Sequence, residues 1–181
     1  MVPEISTSGM CQLGGSLRGQ QQGNSSFYFK PGQLNVDVIS RLLASELGDL
    51  GFRHNALFVY TVDESGNPII LRQFSLEYGG VEFLPADEIN HPTMMSDRQA
   101  FLNRIGNSSV LGYDIELPSD RSANEFAADV ILNAEAYRAN TYNPVLGPNS
   151  NTAALAPVVQ AGGRINRPIS SARGQCRTIS C

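Results

Sequence analysis

The apolar and polar residues of this chain follow their clearest pattern in two adjacent segments near its middle. HNALFVYTV and IILRQFSL are both rich in β-branched and aromatic residues, which favour strands. Between them, residues 63–68 (DESGNP) are dense in turn-forming types. The pattern therefore predicts a β-hairpin over residues 52–76. A third strand is predicted over residues 109–117 (SVLGYDIEL).

Apolar residues recur at helical spacing in several other segments. LNVDVISRLLASELGDLG, residues 34–51, predicts an amphipathic helix with the apolar residues Leu34, Val38, Leu42, Leu43 and Leu47. SDRQAFLNRI predicts a short helix with Ser96 as its N-cap residue. The strongest helical pattern covers residues 119–140, where Ser122 and Glu125 have the spacing of a capping box.

Strands in the middle of the chain with helices on both sides indicate an α+β fold, with a small antiparallel sheet flanked by helices. A length of 181 residues suits one domain with tails, and we predict that domain over residues 27–163. Residues 1–26 are rich in Gly, Ser and Gln and are predicted to form a flexible lead-in. Residues 164–181 are predicted to be basic and irregular.

Composition and charge narrow the class of protein. With 41% hydrophobic residues, 17% charged residues and a net charge of −4, the composition is that of a globular, soluble protein. No apolar run approaches the roughly 20 residues of a membrane span, and no signal-peptide pattern opens the chain. We therefore expect no transmembrane segment, and either an effector secreted without a classical signal peptide or a cytoplasmic protein. Glu135 is the last acidic residue, so the arginines after it form either a solvated tail or a contact with an anionic partner.

The sequence contains little that indicates a metal site or a cofactor site. Three cysteines allow either one disulfide with a free thiol or three free thiols, and they do not form a zinc motif: Cys11, Cys176 and Cys181. Asp87, Glu88 and His91 are a weak candidate for metal ligands, and Pro92 after them favours a plain turn. No nucleotide-binding glycine motif is present. We therefore expect no metal site and no cofactor.

Two residues have the strongest case for catalysis. His54 opens the first strand of the hairpin, which would hold its ring steadily for general-base work; the alternative is a merely packed histidine. Ser150 follows a rigid Gly-Pro-Asn turn at the predicted start of a helix, whose unpaired N–H groups can stabilise an oxyanion. The simpler alternative is that Asn149 or Ser150 only caps this helix. We expect the helix to be bent or ended by Pro157 or by the Gly162-Gly163 pair.

The order of these features resembles the circularly permuted papain-like superfamily, which includes lecithin:retinol acyltransferase-like proteins and many bacterial effector and toxin domains. RHNALFVYTVDESGNPIIL resembles its histidine strand and hairpin, and GPNSNTAAL resembles its nucleophile motif. The resemblance covers roughly residues 34–163. It implies that the turn at Asn149 and Asn151 holds the oxyanion. Serine stands at position 150, where cysteine is usual in the superfamily.

The resemblance implies an enzyme. Ser150 would attack an amide or ester and His54 would take its proton. Gln73 on the next strand would orient the imidazole, with Ser75 as the next choice and Glu77, near the strand end, as a weaker one. We therefore expect a bacterial, effector- or toxin-like hydrolase or acyltransferase acting on peptide, peptidoglycan or lipid, with an immunity or carrier protein as a partner.

Serine at the cysteine position leaves three explanations open: a serine nucleophile, a naturally inactive relative, or a Cys→Ser replacement. A helix N-terminus stabilises a thiolate, and serine gains much less from the same setting. The alternative function is therefore a catalytically inactive binding or structural module of the same fold. A third hypothesis is a salt-sensitive contact with nucleic acid or an anionic membrane through the C-terminal arginines.

Overall fold

A five-stranded antiparallel sheet forms the centre of the part of the chain that the computed structural model describes, residues 31–43, 51–105, 107–143 and 148–170. The elements are β1 (Asn35–Leu42), β2 (Arg53–Val62), β3 (Pro68–Ser75), α1 (Pro92–Leu102), β4 (Leu111–Glu116), α2 (Ala123–Glu135), α3 (Ser150–Gln160) and β5 (Arg164–Ser170). The strand order is β3-β2-β1-β4-β5, with every neighbouring pair antiparallel. This confirms the predicted α+β class with a small antiparallel sheet.

Helices cover both faces of the sheet. On one side, called here the α1 face, Ala56 and Phe58 of β2 share a core with Phe101 of α1. On the other, called the α3 face, Leu57 and Val59 share a core with residues of α2 and α3. Successive strand residues point to opposite faces, and the β1–β2 register is continuous. Even-numbered residues from 54 to 60 of β2 therefore lie on the α1 face, and odd-numbered residues from 53 to 59 lie on the α3 face.

Strand β1 shows that the helix predicted over residues 34–51 is wrong for Asn35–Leu42. Residues 44–50 of that prediction lie outside the described residues. β1 is paired on both sides, with β2 and with β4, and is buried on both faces: Val36 and Val38 lie on the α3 face and Ile39 on the α1 face. A strand buried on both faces shows no strict alternation, so periodicity alone does not separate it from a buried helix.

The predicted hairpin is confirmed as β2 and β3. Its turn is organised by Asp63, whose Oδ1 accepts hydrogen bonds from the backbone N–H groups of Ser65 at 2.9 Å and Asn67 at 2.7 Å. The hydrogen bond from the Asn67 side chain, together with these backbone bonds, holds the pKa of Asp63 below its ordinary value. The strand predicted over residues 109–117 is confirmed as β4.

Helix starts follow local capping chemistry, with one correction. The capping box of Ser122 and Glu125 is present at the start of α2, as the sequence predicts. α1 begins earlier than predicted: its N-cap is His91, and Ser96 is inside the helix. The ring Nδ1 of His91 accepts the N–H of Thr93 at 3.2 Å. A proline fits the next position because the first helical turn needs no N–H from it.

The irregular structure predicted from residue 164 onward is wrong for Arg164–Ser170, which form β5 and pair with β4. The sheet therefore extends past the boundary predicted at residue 163. Residues 1–30 and 171–181, with the predicted lead-in and all three cysteines, lie outside the described residues. No helix within the described ranges is long and apolar enough to span a membrane.

Candidate functional site

Ser150 is the first residue of α3, and the residue before it caps the helix. The Oδ1 atom of Asn149 accepts the backbone N–H groups of Asn151 at 3.0 Å and Thr152 at 3.2 Å. Asn149 is therefore the N-cap, and it occupies N–H groups that an oxyanion would need. The helix runs through Pro157 and ends at Gln160.

One side of α3 packs against the sheet and includes Ser150. Its buried residues recur at helical spacing: Ser150, Ala153, Ala154, Pro157 and Val158. Two of them, Ala154 and Val158, share a core with Leu57 of β2. Ser150 is only 7% exposed and begins this buried stripe, whose later members pack on the α3 face.

His54 belongs to a buried polar cluster on the α1 face. Asp97 of α1 accepts a hydrogen bond from Arg41 Nε at 2.5 Å and lies 3.0 Å from His54 Nε2 through its other oxygen. The Ser75 hydroxyl also bonds this carboxylate. These four residues, here the Asp97 cluster, join α1 to three adjacent strands, because Arg41 is on β1, His54 on β2 and Ser75 on β3.

The charge of Asp97 is stabilised by its partners. Burial alone would raise the pKa of this carboxyl, but the hydrogen bond and charge of His54, the charge of Arg41 and the hydrogen bond of Ser75 outweigh burial and lower the pKa. Asp97 is therefore a buried anion held by three donors. The carboxylate contacts Nε2, so Nδ1 is the ring nitrogen of His54 that does not face Asp97.

The sheet separates the two predicted catalytic residues. His54 alternates with Ala56 and Phe58 and lies on the α1 face, whereas Ser150 packs on the α3 face. The α3-face positions level with His54 on β1 and β2 hold Ser40, Arg53 and Asn55. None of these side chains titrates near neutral pH, so none is suited to act as a general base for Ser150.

Gln73, the predicted orienting residue, lies on the α1 face with His54 but does not contact its ring. Its Nε2 donates to Ser75 Oγ at 3.1 Å and to the backbone oxygen of Met94 at 2.7 Å. Gln73 thus connects to His54 only through Ser75 and Asp97. The structure places the predicted base on the same face as two of the three predicted orienting candidates, Gln73 and Ser75. The third, Glu77, lies beside His91 instead.

The second histidine, His91, stabilises the start of α1. His91 caps α1 through Nδ1, and its Nε2 lies 3.4 Å from a carboxylate oxygen of Glu77. The structure does not arrange Asp87, Glu88 and His91, the weak candidates for metal ligands, as a metal site. In the described part of the chain, no group of three or more His, Cys, Asp and Glu side chains is arranged to hold a metal ion.

A second buried polar group lies on the α1 face around Asp37. The Tyr60 hydroxyl donates to Asp37 Oδ2 at 3.2 Å, and Arg104 Nε lies 3.5 Å from the same oxygen. Burial raises the pKa of Asp37 from 3.8 to about 7, although Arg104 and Tyr60 act in the opposite direction. The folded state therefore holds this proton more tightly than the unfolded chain does. Stability from this group is lost as pH rises from about 4 to about 7.

Sequence reasoning missed both buried acids, although each left a signal. Asp97 is three residues after Met94 and four before Phe101, so it stands on the buried stripe of its helix. Asp37 stands between Val36 and Val38 in an apolar strand. A charged residue at a buried position requires a partner, and this rule could have identified both.

A concave surface lies beside β3, which is the outermost strand on its side of the described sheet. It is formed by residues 72–74 of β3, by residues 82–86, and by Ala134, Glu135 and Arg138 around the end of α2. We call this surface the β3 groove; its volume is about 250 Å³. Phe74 and Phe83 give it an apolar lining, with ring centroids 5.6 Å apart.

Comparisons with family models, with curated proteins and with solved structures found no match for this chain. The papain-like resemblance, the hydrolase or acyltransferase activity and the effector setting therefore stay predictions.

Proposed function

We propose that this chain is a non-catalytic binding module. The observation that carries the proposal is the separation of His54 and Ser150 by the sheet, because a serine and its base must lie within hydrogen-bond reach. Each residue also has a structural position: His54 contacts Asp97 of α1, and Ser150 is a buried residue at the start of α3. The β3 groove is the concave surface such a module would use.

The first test measures whether Ser150 is an activated nucleophile. Wild type and Ser150→Ala are incubated with a fluorophosphonate probe and with a panel of amide and ester substrates. We expect no labelling of Ser150 and no turnover by either protein. Labelling of the wild type that disappears in Ser150→Ala would contradict the proposal.

The second test restores the cysteine that the papain-like resemblance implies. Ser150→Cys is compared with Ser119→Cys, which places a thiol in an exposed turn. Iodoacetamide alkylation of each engineered thiol is followed by peptide mass spectrometry between pH 6 and 9. We expect the thiol at position 150 to react more slowly at pH 7, because it is buried and has no histidine on its face. Faster alkylation at position 150, with ester cleavage, would favour the enzyme.

A second candidate function is the papain-like hydrolase or acyltransferase. The observation that favours it is the 3.0 Å contact of His54 Nε2 with Asp97, a pairing that also orients catalytic bases. It requires α3 to leave its place on the sheet so that Ser150 reaches His54 Nδ1. A bell-shaped pH–rate profile lost in both Ser150→Ala and His54→Gln would support this candidate.

A further inference from the structure

We propose that the β3 groove binds an extended peptide segment of a partner protein, which adds a strand to β3 and places an apolar side chain in the groove. This inference rests on the proposed binding function and specifies its ligand. The partner segment carries an acidic residue close to its apolar one.

The outer edge of β3 is able to pair and is partly occupied already. Leu76 and Phe83 form an isolated antiparallel bridge, and the N–H of Leu84 donates to the oxygen of Ser75 at 2.9 Å. Before Ser75, no strand of the described residues pairs with this outer edge. An unpaired strand edge presents backbone donors and acceptors that fit another extended chain.

Two apolar side chains along this edge are also partly exposed to solvent. Ile69 is 47% exposed and Leu71 is 42% exposed, although both belong to a strand. Side chains of an added strand would lie across from such residues and bury them. Pro68 and the charged Arg72 flank the two apolar residues, an arrangement that protects an edge from indiscriminate pairing.

The groove has the size of a side-chain pocket. Its volume of about 250 Å³ is below the 300–1,000 Å³ typical of sites for whole small-molecule ligands. Two aromatic rings line it, Phe74 and Phe83, with centroids 5.6 Å apart, and Tyr137 supports Phe83 from outside the lining at a centroid distance of 5.2 Å. This aromatic lining suits one apolar side chain of a peptide.

Two arginines and two glutamates line the groove, and one of the glutamates, Glu135, is the last residue of α2. Glu82 and Arg138 on its rim form an ion pair at 2.6 Å and so neutralise each other. Arg72 belongs to the edge strand itself, and within the described ranges its guanidinium has no ion-pair partner. A peptide paired with β3 would pass beside this cation, which is why the proposed segment carries an acidic residue.

The experiment uses a phage-displayed library of random twelve-residue peptides selected on the full chain. Selected peptides are resynthesised with fluorescein, and their binding is measured by fluorescence polarisation. We expect enrichment of peptides with an apolar residue next to an acidic one. Binding should slow amide hydrogen exchange in residues 69–73 by about tenfold or more, because an added strand protects edge amides.

Two variants locate the site, each with a matched control. Ala86→Trp fills the groove, and Ala128→Trp adds the same bulk on an exposed part of α2 outside it. Arg72→Glu reverses the charge on the edge strand β3. Its control, Arg98→Glu, makes the same charge change on the exposed side of α1. We expect Ala86→Trp and Arg72→Glu to weaken binding about tenfold or more, as loss of a central contact does. The controls should stay within about twofold.

Three outcomes would overturn the inference. The first is a selection that enriches no peptide over a blank surface. The second is equal binding of the selected peptides to Ala86→Trp and to the wild type. The third is self-association of the chain through the groove, which would make a second copy the occupant. The second and third outcomes leave the proposed binding function standing. Failure of the proposed function itself would be seen separately, in the labelling of Ser150.

Discussion

Replacement of Asp97 by asparagine removes the charge on which the Asp97 cluster depends while keeping the size of the side chain. Asp97 is fully buried, and the side chains of Arg41 and His54 are only 14% and 8% exposed. Removing one partner of a buried ion pair costs about 3–5 kcal/mol. Asparagine retains one acceptor oxygen, so we expect a loss of about 3 kcal/mol in the free energy of unfolding, at the lower end of that range.

The assay is urea unfolding followed by far-UV circular dichroism at pH 7. With an m-value of about 2 kcal/mol/M, the midpoint of Asp97→Asn should fall by about 1.5 M urea. The matched control is Asp129→Asn, whose ion pair with Arg121 has both side chains 40% exposed. A surface pair contributes at most about 1 kcal/mol, so this control should change little.

The pH dependence of the stability difference between wild type and Asp97→Asn tests whether the charge of Asp97 causes that difference. The pKa of Asp97 is lowered in the folded state, so its contribution is present above the unfolded pKa near 3.8 and is lost as pH falls through the lower folded value. The difference between wild type and Asp97→Asn should shrink as pH falls below about 4. A loss no larger than that of Asp129→Asn, or a difference unchanged at pH 3, would refute the reasoning.

Substitutions of an acid, a cap residue and two glycines test separate parts of the fold in the same urea assay. Asp37→Asn should abolish a fall in wild-type stability of the order of 4 kcal/mol between pH 4 and 7, which follows from the rise of that pKa from 3.8 to about 7; an unchanged slope would exclude this acid as the cause. Asn149→Ala should destabilise by about 1 kcal/mol through loss of the N-cap, and Asn149→Ser should recover most of it. Gly163→Ala should destabilise by about 1–3 kcal/mol, because its Cβ would meet the Phe126 ring at 2.9 Å. At Gly112 an added Cβ meets nothing within 4 Å, so Gly112→Ala should be near neutral; equal effects would contradict the packing argument.

Elements with local chemistry could be predicted from the sequence. The hairpin follows from two strand-forming segments around the Asp63 turn, and α2 follows from the Ser122–Glu125 capping box. Asn149 was one of two expected caps of α3, and it is the cap. These features depend on residues within a few positions of one another, so a short window of sequence is enough to predict them.

Elements and contacts that depend on distant partners could not be predicted. β1 has the helical spacing of a buried helix, and pairing with β4, about seventy residues later, makes it a central strand. β5 needs the same strand as its partner. The candidate site depends on the same kind of information: the sequence contains His54 and Ser150, but not the face of the sheet on which each lies.

By itself, the sequence determined the α+β class, the central hairpin and the capped starts of α2 and α3, because short-range hydrogen bonds and turn preferences decide them. The tertiary structure decided that α1 packs beside His54 and α3 packs on the opposite face. Strand residues alternate between faces, so which helix covers which face determines which side chains meet. That choice makes His54 a partner of Asp97 rather than of Ser150, and it results from long-range packing that no local pattern contains.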